Sequence, residues 1–213
     1  MGICVTEKTE SNLSYKAPVS VKTASAIGAL IGSGAYIMTL AKRKTGKNIL
    51  QKIPKVELGI KEGIILCGTS ITGGLIPGLL VDDKKNAKAK LHETAHQFIG
   101  NGLIPFSCLA VVNKLTKPLN KSIRALIAVG TLFASTFLGH STTDKMLNTP
   151  NSYRVSVIDF LPDVDDWVLA VSTVLKSKLL YKFTAMVCPF TYAMLGYRAG
   201  CRQKDNKKLD KIV

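Results

Sequence analysis

Thr23 to Ala41 reads TASAIGALIGSGAYIMTLA, 19 residues without a formal charge. A bilayer core about 30 Å thick is crossed by roughly 20 mostly apolar residues in helical form, so this stretch is long enough to span one. Three more windows match it. Gly63 to Val81 holds 19 uncharged residues, Thr94 to Asn113 holds 20 broken only by His96, and Ala125 to Thr143 holds 19 broken only by His140. Helices of a water-soluble fold carry a polar face, and four windows without one predict an all-α, polytopic membrane helix bundle. Two weaker runs, 155–175 and 183–197, bring the expected number of hydrophobic segments to four to six. The organisation that follows is a polar N-terminal segment over 1–22, a membrane-embedded helical domain over 23–197 and a basic polar tail over 198–213.

The remaining composition fits that frame. The chain of 213 residues has 29 Lys and Arg against 14 Asp and Glu, a formal charge of +15. The basic residues sit in the connections between apolar runs and form no dense patch with interleaved aromatics, so nucleic acid is an unlikely partner. Anionic lipid headgroups beside the loops are the expected one. Five widely spaced cysteines, Cys4, Cys67, Cys108, Cys188 and Cys201, give neither a disulfide framework nor a zinc ribbon. The first apolar run begins well inside the chain and continues into Lys42-Arg43-Lys44, which reads as a retained anchor.

Small residues set expectations for packing. Gly28 and Gly32 form a GxxxG pair, which allows close helix approach in lipid and offers a face for self-association or a protein partner. Gly73-Gly74 and Pro77-Gly78 are breakers inside the second segment, and such breaks expose backbone groups that lipid cannot satisfy. They predict a segment that is shielded by protein, kinked or re-entrant, and the re-entrant arrangement would also gather Lys and Arg on one side of the membrane.

The polar residues inside apolar segments are the candidates for chemistry. His92-Glu93-Thr94-Ala95-His96 places two imidazoles one helical turn apart with a glutamate between them. Two such imidazoles can bind one zinc ion, and the glutamate can then take a proton from metal-bound water. Over these five residues the chain resembles the HExxH metallopeptidases, a resemblance that implies Glu93 as catalytic base and His92 and His96 as metal ligands. A catalytic zinc needs a third protein ligand. Position 102 is glycine, so the extended three-histidine pattern fails; the remaining candidates are His140, Asp144 (four residues on, on the same helical face) and the aspartates of the fifth segment. Leu161-Pro162-Asp163-Val164-Asp165 is distantly similar to the proline-then-aspartate element of intramembrane site-2 proteases, although their Asp-Gly pair and preceding asparagine are absent. No cofactor is expected unless the HExxH group holds zinc.

Asp159, Asp163 and Asp166 fall at i, i+4 and i+7, so one helical face would carry three carboxylates. That pattern is read either as an ion or proton site or as a headgroup-level cluster just before Trp167. Glu93, Gln97 and Asn101 form a polar stripe suited to hydrogen bonding between helices. The leading expectation for function is a structural or interaction component of an unspecified membrane. The alternatives are an HExxH-type intramembrane zinc metallopeptidase and a small ion or solute transporter.

Overall fold

The computed structural model describes residues 17–148 and 164–201, which are all-α, with no strand among the described residues. Helix α1 covers Val19–Lys42, and the short α2, Ile49–Lys52, runs into a 3₁₀ turn at Ile53–Lys55 before α3, Ile60–Val81. A rod of 32 residues, Lys84–Leu115, comes next. It consists of a 3₁₀ start, α4 at Ala87–Ala95, a π-helical stretch at His96–Leu103 and α5 at Ile104–Leu115. The chain then forms α6 at Lys121–Met146, α7 at Val164–Leu175 and α8 at Lys178–Cys201.

Four of these helices are long and apolar enough to cross a membrane: Val19–Lys42, Ile60–Val81, Lys84–Leu115 and Lys121–Met146. Large apolar side chains point outward along them, among them Ile31, Leu80, Leu126 and Phe137. Each such side chain forgoes about 1.5–3 kcal/mol when it stays in water instead of being buried, whereas lipid tails solvate it as well as protein does. The chain is a membrane protein built as a helical bundle. Helix α8 is longer than the apolar run 183–197 suggests, because packing carries it through Arg198 to Cys201. Pro189 sits inside it without ending it.

Helices α1, α3 and α8 form the tightest part of the bundle. A Cβ at Gly28 would collide with the carbonyl oxygen of Gly73, and one at Gly32 with that of Thr69, so α1 and α3 run antiparallel with their backbones in contact. On the other face of α3, Gly74 meets Gly196 and Gly78 meets Gly200, so α3 and α8 run parallel in a matched register. Two hydroxyls add bonds between helices: Ser33 Oγ donates to the Pro189 carbonyl at 2.7 Å and Ser70 Oγ to the Tyr192 carbonyl at 2.6 Å.

The second segment is therefore not re-entrant. Helix α3 continues through Gly73-Gly74 and Pro77-Gly78, and its glycines are points of close approach to neighbours on two sides. Pro77 has no N–H to offer the Gly73 carbonyl, and that oxygen is the atom covered by Gly28. Protein shields what lipid could not. The one-sided excess of Lys and Arg that a re-entrant segment implied disappears with it.

The connection after α1 is structured at its ends. Asn48 caps α2 by accepting the Gln51 N–H, and Glu62 accepts the Gly59 N–H at the start of α3 at 3.1 Å. Val56 and Leu58 are buried in the core. Helix α7 packs between α6 and α8.

Candidate functional site

The polar stripe lies where the rod meets α6. Phe98 lies beside Gly68 and Gly102 beside Cys67, and both of those residues are close to the middle of α3, so the stripe sits near mid-depth of the bundle. Helix α6 approaches closely there because Gly139 meets Gly100 backbone to backbone. The rod changes from α to π winding at His96. Such insertions appear mostly as local bulges and are frequent at functional sites.

A single chain of polar contacts runs through this contact region. Gln97 Nε2 donates to Glu93 Oε1 at 2.7 Å, and Asn101 Nδ2 donates to Gln97 Oε1 at 2.9 Å. The bonds then cross to α6, where His140 Nε2 lies 2.8 Å from Asn101 Oδ1. His140 Nδ1 is 3.4 Å from His96 Nδ1, and His96 Nε2 is 3.4 Å from Asp144 Oδ1. Glu93, His96, Gln97, Asn101, His140 and Asp144 are all buried. Nearby Ser135, Thr136 and Thr143 bond to carbonyls of their own helix, Thr131, Leu132 and Gly139.

The direction of each bond limits the protons. With Asn101 donating through its amide nitrogen, its oxygen accepts from His140 Nε2–H. His96 Nε2 lies 3.4 Å from Asp144 Oδ1, within ion-pair range. His140 is anchored through Nε2–H, and the Nδ1 atoms of the two rings face each other, so that one Nδ1–H can donate to the other ring's Nδ1. The ring centroids are 5.6 Å apart and the planes 28° from parallel. That separation is nearly the nitrogen distance plus the two ring radii, so the nitrogens meet almost along the line of centres.

The HExxH side chains meet different partners. Among the described residues no group of three or more His, Cys, Asp or Glu side chains is placed to hold a metal ion. His96 turns to α6, Glu93 accepts from Gln97, and His92 is half-buried one turn earlier on the rod.

Asp159 and Asp163 lie outside the described residues. Asp166 is on α7, and its side chain is likewise outside them. Gly28 and Gly32 face α3. A groove of about 540 Å³ between α1 and α3, bounded by Gly32, Tyr36, Thr39, Gly68 and Thr72, is separate from the polar chain.

One site residue was hidden in a charged link. Lys90 is 0% exposed; its ammonium lies 2.7 Å from Asp82 and donates to the Gly78 carbonyl at 2.5 Å. It caps the C-terminal end of α3, where carbonyls lack helical partners and favour a cation. Asn86 donates to the other Asp82 oxygen at 3.0 Å. A Lys in the sequence Asp82-Asp83-Lys84-Lys85 to Lys90 gives no sign of which cation folds inward.

Comparison with known proteins returns no match: no family model, no curated protein and no solved structure corresponds to this chain.

Proposed function

We propose that this chain is a small multi-pass membrane transporter of a cation, with the proton as the species it handles and Asp144, His96 and His140 as its site. The observation that carries this reading is the head-on pair of histidine nitrogens, 3.4 Å apart near mid-depth and backed by a carboxylate. Ionisable groups inside membrane helices are costly and mark ion or proton paths by default, and imidazole changes charge near neutral pH. Glu93, Gln97 and Asn101 extend the polar chain along the rod and orient His140 through its Nε2–H. The small-residue contacts that suggested an interaction component are engaged within the chain, with Gly28 and Gly32 against α3.

Purified protein in liposomes carrying an internal pH dye tests the reading. Imposing a membrane potential drives proton entry through the parent protein. Asp144→Asn lowers the rate by roughly tenfold or more, the factor that corresponds to about 1.36 kcal/mol at the site. Flux equal to that of empty liposomes, or equal flux in parent and variant, overturns it. Elemental analysis of the same preparation addresses the zinc alternative, and a stoichiometric metal lost on His96→Ala would favour it.

A further inference from the structure

The bundle divides into two bodies held together in different ways. Helices α1, α3 and α8 are joined backbone to backbone through Gly28, Gly73, Gly74, Gly78, Gly196 and Gly200. The rod Lys84–Leu115 and α6 are joined to each other through Gly100, Gly139 and the polar chain. All six residues of that chain belong to the second body. The seam between the bodies is of another kind. Phe98 rests on Gly68, Phe106 on Gly63, and Gly102 on the Cys67 thiol. These are side-chain contacts within one shared apolar core, without the backbone-to-backbone approach found inside each body.

One end of the seam is fastened. Lys90 binds both Asp82 and the Gly78 carbonyl where α3 ends, and α4 also packs against α8. At the other end Phe106 of the rod and Leu169 of α7 both lie against Gly63, with no ion pair shown there among the described residues.

We propose that the rod and α6 rock as one body against α1, α3 and α8, pivoting at the Lys90–Asp82 ion pair. This rests on the transport reading, because a site near mid-depth must open to each side in turn. The histidines travel with the moving body, so their mutual geometry is kept while their access changes. Hinge and shear motions of this sort proceed by small sliding of packed helices.

Spin labels distinguish the two ends in the full chain reconstituted in lipid, with Cys4 and Cys108 replaced by serine. One pair, Met38→Cys with Leu126→Cys, reports the free end; the other, Leu80→Cys with Met146→Cys, reports the fastened end. All four side chains are exposed on the surface of the bundle. The free-end distances are broad or bimodal and the fastened-end distances narrow, and Lys90→Met with Asp82→Asn broadens the latter. Equally narrow distributions at both ends overturn the proposal. In a second arm, Gly102→Cys bridged to native Cys67 by mercury locks the seam, reducing proton flux to the basal leak until thiol is added. Undiminished flux through the bridged protein also overturns it. Broad free-end distances without any flux in the parent would sink the transport reading alone.

Discussion

The two bodies of this protein use glycine for the same purpose and polarity for opposite ones. In α1, α3 and α8, glycine contacts bring backbones together, and the polar groups there, Ser33 and Ser70, donate to a neighbour's carbonyl. Between the rod and α6, Gly100 and Gly139 bring backbones together so that ionisable side chains meet. The first arrangement contributes stability. The second gathers ionisable side chains where lipid and protein both disfavour a charge, and such groups are the starting point of the proton reading.

Breaking the fastening between the two bodies has the largest expected effect. Lys90→Met leaves Asp82 buried without its ammonium, and loss of one partner of a buried pair costs about 3–5 kcal/mol. The double variant Lys90→Met with Asp82→Asn recovers most of that loss, as unfolding titrations in detergent would show. Gly196→Val overpacks the first body against Ser70 and Ala29, with an expected cost of about 1–3 kcal/mol or more. Gln97→Leu interrupts the polar chain of the second body. Its stability cost is smaller, about 1 kcal/mol, while proton flux falls out of proportion to it. Gly34→Ala sharpens the comparison from the other side. Nothing lies within 4 Å of a Cβ at that position, so relief of backbone freedom raises stability by about 0.5–1 kcal/mol.

Much of the architecture was legible because lipid demands uncharged windows of a set length. The four strong windows correspond to the four long apolar helices. Gly28 and Gly32 were legible as a pair, since their spacing brings both onto one face. Gly74 with Gly78 and Gly196 with Gly200 have the same spacing, yet Pro77 and the adjoining Gly73 made the first pair resemble a break. Only the partner helix shows that a glycine is a contact. The stripe of Glu93, Gln97 and Asn101 was legible from spacing, and so was the placement of His140 and Asp144 one turn apart. What spacing could not give was their meeting across two helices, which depends on the contact between Gly100 and Gly139 and on the π winding that starts at His96. The HExxH pattern drew attention to Glu93 and His96 of the polar chain, but local spacing says nothing about which neighbour His96 turns to. Lys90 was illegible for a related reason, since its burial is set by the end of α3, twelve residues earlier at Gly78.

The central claim concerns a single proton between two imidazoles, and nitrogen spectra address it directly. The chain has three histidines, so ¹⁵N-histidine-labelled protein in lipid bilayers at neutral pH gives few signals, with His92→Gln to assign the third. The expected result is that His140 is protonated at Nε2 and that the two Nδ1 atoms share one proton, seen as a coupling between them across the hydrogen bond. Two neutral rings with ordinary, independent tautomers would contradict it.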